Sequence, residues 1–247
     1  MNLFFYIINY CCKLFCIQYR LLILQKNNGN EKTNFSSPTI CFAITVCDEH
    51  EELQNVLDAI IPYLGENDEI LIQGDEGKVT DKVKFVIEKY SSAIKKYVEF
   101  PLNRDFGAFK NNIFAHTEKQ YIFQLDADEI PSPYLMKNLN EIIAHNPDIE
   151  LLKIPRLNTI INDDENLTTW ENVNTIKKEE LINFPDYQRR IYKNIKSIKW
   201  TKKLHEKIVG NKSSAYLPKK QEYCILHCKR RKKQLKWVAY FAEEKRQ

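Results

Sequence analysis

The sequence predicts an α/β fold in which a mostly parallel sheet is flanked by helices. From Thr39 onward, short runs rich in β-branched and aliphatic residues alternate with segments whose apolar residues recur at helical spacing. One of these runs, residues 121–125, is almost wholly apolar and ends abruptly in Asp126, Asp128 and Glu129. Such a run indicates a central strand that is covered on both faces, and ligands bind beyond the carboxyl ends of such strands.

The first two predicted strands are each followed by a helix. Residues 39–46 form the first β-rich run, and Asp48 is positioned to cap a helix over residues 53–64. Residues 69–74 form the second strand, after which Thr80 is positioned to cap the next helix. A helix after each strand returns the chain to the edge where the next parallel strand begins.

The same alternation continues through the middle of the chain. Residues 97–100 predict a short third strand, which precedes a helix around Phe109 and Ile113. The run that ends in the three acids is the fourth strand, and Ser132 and Pro133 then open another helix. Repeated β-α units predict a parallel sheet with right-handed crossovers.

Composition limits the class of protein. The chain has 247 residues, of which 43% are hydrophobic, so it can build a sizeable core. Its formal net charge of +4 is mild, and we predict no nucleic-acid partner. The seven cysteines lack the paired spacing of a secreted disulfide framework. We therefore expect a reducing, cytoplasmic location.

Both ends of the chain differ from its middle. Residues 1–30 comprise an apolar segment, predicted to be helical, and a linker, and Lys13 and Arg20 interrupt the apolar run before it reaches the ~20 residues of a spanning helix. This helix is expected either to lie on a membrane surface or to pack against the protein. Residues 229–247 predict a basic amphipathic tail, which suits either an anionic membrane surface or a solvated helix end. The membrane alternatives predict a peripheral protein.

The acids after the fourth strand are candidates for a metal site. Asp126 and Asp128 lie two residues apart, so an extended backbone directs both to the same side, and Ala127 keeps the approach open. Their mutual repulsion favours a divalent cation, with Mg²⁺ or Mn²⁺ the best fit. The alternative is a solvated loop that caps the next helix. No G-x-G-x-x-G or P-loop motif is present, which leaves phosphate binding to a metal and basic side chains.

Five blocks together carry a resemblance to a known family. Residues 44–49, 72–77, 103–111, 123–129 and 204–206 resemble family 2 glycosyltransferases of the Rossmann-like GT-A fold, in the branch that builds lipopolysaccharide core and other surface glycans. The resemblance implies a GT-A domain over residues 39–228. Its first half, 39–148, would bind the nucleotide sugar, and its second half, 149–228, would bind the acceptor.

The resemblance also implies a donor site. The residues that it assigns to the nucleotide sugar, most simply a UDP-sugar, are Thr45, Val46, Glu49, Asp75, Lys110, Asn111, Asp126 and Ala127. According to the resemblance, Asp75 binds the base of the nucleotide, Thr45 and Val46 flank that base, and Asp126 lies near the ribose. Lys110 and Asn111 would touch the nucleotide or diphosphate. Glu76 departs from the family pattern and leaves the nucleotide preference open.

The metal and the catalytic base are assigned on the same resemblance. Asp128 matches the main metal ligand, Asp126 is its partner in the D-x-D motif, and His227 and His205 compete to complete the diphosphate site. A zinc site at His227 with the neighbouring cysteines is disfavoured, because its ligands stop at three. No acidic block follows the D-x-D motif, so Glu206 is the first candidate for the base and Asp186 the second. The alternative for Glu206 is a simple ion pair with a lysine.

The sequence thus predicts a glycosyltransferase that depends on Mn²⁺ or Mg²⁺. It would move a sugar, with inversion, from a nucleotide sugar to a hydroxyl of a glycan, lipid-linked or protein acceptor in the synthesis of surface glycans or glycolipids. Two alternatives remain. One is a nucleotidyltransferase that makes the activated sugar, although residues 46–50 are not the glycine- and basic-rich loop that it needs. The other is an inactive, membrane-associated protein that binds a nucleotide or glycan.

Overall fold

The computed structural model describes residues 37–176 and 181–235. The predicted apolar segment 1–30 and residues 236–247 of the predicted tail lie outside the described residues. None of the described helices is long and apolar enough to cross a membrane. The division into donor and acceptor halves stays a prediction.

The described residues build one nine-stranded sheet and a separate two-stranded hairpin. The sheet order is β3-β2-β1-β4-β7-β6-β11-β5, with β10 paired to β6, and β8 pairs with β9 in the hairpin. The strands are β1 (Ile40–Val46), β2 (Glu69–Asp75), β3 (Ile94–Phe100), β4 (Tyr121–Asp126), β5 (Glu129–Pro131), β6 (Leu151–Ile161), β7 (Ile182–Lys193), β8 (Lys199–Thr201), β9 (Lys207–Val209), β10 (Ser214–Tyr216) and β11 (Ile225–Arg230). The helices are α1 (His50–Ile60), α2 (Asp81–Lys89), α3 (Phe106–Asn111) and α4 (Pro133–Ala144), and residues 231–235 are also helical.

The predicted mostly parallel α/β sheet is confirmed. β1 lies between β2 and β4 and runs parallel to both, and β2 runs parallel to β3. The first five residues of β4 are buried, as expected of a central strand. β3 begins three residues earlier than predicted. It is an edge strand, and its first residues include the exposed Lys95 and Lys96, so no apolar run marks its start.

Two of the three predicted helix caps are confirmed. The hydroxyl of Thr80 accepts the N–H of Val83 at 3.4 Å, and that of Ser132 accepts the N–H of Leu135 at 3.0 Å. The predicted cap at Asp48 is wrong. Glu49 holds the N-cap position, and its carboxylate accepts the backbone N–H groups of the two preceding residues, which shapes the loop after β1.

The second half adds antiparallel strands beside β4. β7 runs antiparallel to both β4 and β6, so it brings residues from far along the chain next to the acids of β4. The apolar run of residues 150–155 predicts a strand that ends at Pro155, and the polar residues 158–178 predict an irregular stretch. β6 instead extends to Ile161, so Asn158 lies in a strand. The apolar run marks only the first part of β6, because in its second part the polar Arg156 and Asn158 alternate with buried residues.

The β8–β9 hairpin packs tightly on α3. A Cβ atom added at Gly107 would lie 2.7 Å from the carbonyl oxygen of Lys202, so only glycine allows this approach. The N–H of Phe106 also donates to the carbonyl of Lys203 at 3.0 Å. This docking places the loop that carries His205 and Glu206 beside the carboxyl ends of the parallel strands.

Candidate active site

A cavity of about 540 Å³ lies beyond the carboxyl ends of β1, β2 and β4. This volume lies in the range of small-molecule sites, and the position is the one where open α/β sheets bind ligands. The predicted site residues that line it are Thr45, Val46, Glu49, Asp75, Lys110, Asp126, Ala127, Asp128, His205, Glu206 and His227. Two predicted site residues, Asn111 and Asp186, are outside the lining.

One end of the cavity suits a planar group. Asp75 is 5% exposed at the end of β2, where its carboxylate accepts the N–H of Leu102 at 3.0 Å and pairs with Lys78 at 3.0 Å. Leu102, Phe106 and Phe109 add apolar wall to the cavity. Glu76, which the sequence places next to Asp75, is exposed and does not line the cavity.

Asp126 is surrounded by cations. Its Oδ1 accepts the hydroxyl of Thr45 at 3.0 Å and lies 3.5 Å from Nζ of Lys110, while its Oδ2 accepts Nη2 of Arg190 at 2.7 Å. Burial favours the neutral carboxyl, but Arg190 and Lys110 outweigh it and hold the pKa of Asp126 well below its ordinary range. Asp126 is therefore ionised, and both of its oxygens are engaged.

Arg190 belongs to a larger buried network. Its Nη2 also binds Glu129, which is fully buried and takes a second contact of 2.7 Å from Nη1 of Arg156. Arg156 uses Nε and Nη2 to bind Oδ2 of Asp186 at 3.0 and 2.6 Å. Burial favours the neutral form of Asp186, but Arg156 outweighs it and lowers the pKa of that carboxyl. Asp186 thus anchors Arg156 at the edge of the cavity.

Asp128 faces His227. Their Oδ2 and Nε2 atoms are 3.4 Å apart, and Nδ1 of His227 lies 2.7 Å from Oδ1 of Asn158. The amide nitrogen of Asn158 donates to Asp186 at 3.0 Å, so its oxygen faces His227 and Nδ1 of the imidazole must be the donor. Nε2 is then directed at Asp128, the arrangement that a metal-ligating histidine adopts.

The pair of Asp128 and His227 carries the features of a two-ligand cation site. Burial favours the neutral carboxyl, but the protonated form of the His227 imidazole outweighs it and lowers the pKa of Asp128. Among the described residues, no three His, Cys, Asp or Glu side chains come together to hold a metal. A Mg²⁺ or Mn²⁺ ion bound at this pair would take its remaining positions from diphosphate oxygens and water. His205 lines the same cavity from the loop between β8 and β9.

Glu206 pairs with Lys110 inside the cavity. Its Oε1 lies 2.7 Å from Nζ of Lys110, whose side chain is only 4% exposed. Burial favours the neutral carboxyl of Glu206, but Lys110 outweighs it and lowers its pKa. The ion pair expected as the alternative for Glu206 is therefore present, and it keeps the carboxylate ionised, which is the form that a general base requires.

The first part of the basic tail folds back onto the cavity. Lys229, Lys233 and Gln234 line it, and Nζ of Lys233 pairs with Glu49, the N-cap residue of α1. Arg230 pairs with Glu51 at 2.7 Å. These basic residues therefore face the carboxyl ends of the strands and add positive charge beside Asp128.

Sequence reasoning missed Arg156, Arg190 and Glu129. Glu129 was recognised only as the third acid after β4, and Arg190 only as part of the predicted acceptor half, residues 149–228. The alternation of side chains along a strand could have indicated Arg190 as a site residue, because Arg190 shares a face of β7 with Asp186 and Gln188. An arginine within a buried strand needs acidic partners, although its sequence position does not say which acids these are.

Comparisons with known proteins identify the family of this chain. The model of the family "Glycosyl transferase family 2" matches residues 41–209. An uncharacterised glycosyltransferase of Haemophilus influenzae is 23% identical over 149 residues, which are 59% of this chain and 54% of that protein. The chain thus spans about half the length of this curated relative.

One solved structure shares the fold, and a second is less similar. S. aureus TarS (residues 1–349) superposes with a TM-score of 0.51 and 10% identity over 77% of this chain and 60% of TarS. Glucosyl-3-phosphoglycerate synthase of Mycobacterium tuberculosis, solved with Mn²⁺, UDP and phosphoglyceric acid, gives a lower TM-score of 0.39 with 20% identity over 51% of this chain and 44% of that one. The fold is GT-A, and with the family model covering more than half of its residues, this chain belongs to glycosyl transferase family 2.

Proposed function

We propose that this protein transfers a sugar from a nucleotide-sugar donor to an acceptor hydroxyl, with inversion at the anomeric carbon, and that it uses Mn²⁺ or Mg²⁺. The observation that carries the proposal is the pairing of Asp128 with His227 at 3.4 Å on the wall of the cavity. A carboxylate and an imidazole nitrogen directed at each other provide two ligands for one divalent ion. Such an ion would neutralise charge on the departing diphosphate.

The donor would lie along the cavity from Asp75 to Asp128. Asp75 and the wall made by Leu102 and Phe106 suit a base that donates an N–H and stacks on apolar surface, and a uracil has both properties. A UDP-sugar is the simplest donor on this ground. Thr45 and Asp126, joined by their 3.0 Å hydrogen bond, lie between the two ends, where the ribose would fall.

Basic residues would hold the diphosphate beside the metal. Lys229 and Lys233 line the cavity from the tail, on the side where His227 in β11 faces Asp128. Phosphate oxygens bind both a hard divalent ion and ammonium groups. The tail would thereby supply the cations that a chain without a glycine-rich phosphate loop needs.

Glu206 is the proposed base. It lines the cavity and is 20% exposed, so an acceptor hydroxyl can reach it, and Lys110 keeps it ionised. Asp186 is the weaker candidate because Arg156 engages it from two nitrogens and it does not line the cavity. The acceptor would carry its hydroxyl on a glycan, a lipid-linked sugar or a protein.

A donor screen tests the proposal. UDP-, GDP- and CMP-sugars are incubated with the full chain and Mn²⁺, and release of the free nucleotide is measured with and without EDTA. We expect hydrolysis of a UDP-sugar that EDTA abolishes and that added Mn²⁺ restores. Calorimetric titration with the nucleotide diphosphate supplies a separate readout. Binding without any turnover would support the inactive binding protein instead, and turnover that EDTA leaves unchanged would refute the metal.

A further inference from the structure

Lys110 is a charged group held in an unusual place. Its side chain is 4% exposed at the end of α3, and its ammonium contacts Glu206 at 2.7 Å and Asp126 at 3.5 Å. A buried lysine is costly unless its charge is compensated and its position is fixed. The two carboxylates compensate the charge, and a third group contacts the ammonium from another side.

That third group is the indole of Trp200. Nζ of Lys110 lies 4.8 Å from the ring centroid, which is within the range of a cation–π interaction. Trp200 is 4% exposed in β8, the hairpin strand that precedes the loop of His205 and Glu206. The ammonium is therefore held between a ring on one strand and a carboxylate at the far end of the adjoining loop.

Trp200 is itself fixed by several hydrogen bonds. The side-chain amide of Asn111 binds its backbone twice, as donor to the carbonyl and as acceptor of the N–H, both at 2.8 Å. The indole N–H donates to the hydroxyl of Tyr192 at 3.1 Å, and that hydroxyl lies 3.4 Å from Oε1 of Gln124 in β4. Two neighbouring residues of α3 thus contact different parts of one tryptophan. Asn111 binds its backbone, and Lys110 lies over its ring.

We propose that Trp200 and Asn111 are positioning residues, which place the ammonium of Lys110 so that it orients Glu206 for proton transfer. This inference rests on the proposed function, and it gives Asn111 a role different from the predicted contact with the nucleotide. The ammonium that contacts the tryptophan ring thus joins Asp126 of the D-x-D motif to Glu206, the proposed base. Loss of the ring would let the ammonium move and would misplace the base while the donor pocket stays intact.

The test compares three tryptophan variants. W200F keeps an aromatic face for Lys110, and W200L removes it. W170L is the control, because the partly buried indole of Trp170 also donates a hydrogen bond, to the carbonyl of Ile130, but does not line the cavity. We expect W200L to lower kcat for transfer by ~10-fold or more with KM for the donor within ~3-fold. W200F should recover kcat to within ~3-fold of the wild type, and N111L should resemble W200L.

A second readout does not depend on activity. The rate at which an amine-acylating reagent labels Lys110, followed by peptide mass spectrometry, should rise ~5-fold or more in W200L and stay near the wild-type rate in W200F and W170L. Equal kcat in W200L and W170L, or an unchanged labelling rate in W200L, would overturn the inference. If the wild type transfers no sugar, the proposed function fails, and the labelling rates alone decide whether Trp200 positions Lys110.

Discussion

Replacing Lys233 with methionine is expected to weaken donor binding. Two unit charges ~6–8 Å apart interact by ~2–3 kcal/mol at an effective dielectric constant of ~20. Glu49 already holds the ammonium of Lys233, whose side chain is 23% exposed, so the diphosphate must compete for it. About half of the interaction, ~1–1.5 kcal/mol, should then remain, so its loss in the variant corresponds to a ~5–13-fold higher Kd. Titration calorimetry of UDP in the presence of Mn²⁺ measures this change, and K229M should behave alike.

The same basic run supplies the controls. Arg231 and Lys232 are exposed and do not line the cavity, so R231M and K232M remove the same unit of charge without touching the proposed diphosphate site. Their Kd for UDP should stay within ~2-fold of the wild type. Sedimentation with anionic vesicles tests the alternative that the tail binds a membrane, since such binding would depend on the exposed basic residues and would weaken with salt. Equal losses of UDP affinity in K233M and K232M would refute the assignment of Lys233 to the diphosphate.

Two further predictions follow from the buried charges. E206Q should lower kcat for transfer by ~10²-fold or more with little change in donor Kd, because the amide keeps the packing but cannot accept a proton; normal transfer by E206Q would exclude Glu206 as the base. R190M should lower the free energy of unfolding by ~3 kcal/mol in urea titrations, because it strips Asp126 and the fully buried Glu129 of a shared partner; R189M in the same strand is the control, and equal losses would contradict a specific role of Arg190.

The parallel half of the fold could be predicted because its signals are local. Apolar runs, cap residues such as Thr80 and Ser132, and the acids after β4 each depend on a few neighbouring residues. β3 and β6 were predicted too short for the same reason. An edge strand and a strand that lines a cavity both carry polar residues, so an apolar run marks only part of each.

The charge network could not be predicted, because it depends on contacts between distant strands. Arg190 meets Asp126 across 64 residues and Glu129 across 61, through the antiparallel insertion of β7 beside β4. No spacing in the sequence encodes which of several acids a given arginine meets. The tail shows the same limit, since its run of basic residues could not reveal that Lys233 folds back to Glu49.

The structure gives the two acids of the D-x-D motif different neighbours, and their variants should separate accordingly. Asp126 balances Arg190 and Lys110, so D126N leaves two buried cations with fewer partners and should cost ~1–3 kcal/mol in urea unfolding. The carboxylate of Asp128 faces an imidazole, so D128N should cost less than ~1 kcal/mol.

Metal binding should show the opposite order. D128N removes a proposed ligand and is expected to raise the Kd of UDP with Mn²⁺ by ~10²-fold and to abolish turnover, whereas EDTA-treated samples of D128N and the wild type should bind UDP alike. Because one assay reports folding and the other reports metal-dependent binding, the two roles cannot be confused. If D128N binds UDP and Mn²⁺ with unchanged affinity, the cation is not held at Asp128 and His227, and the reasoning from their geometry is wrong.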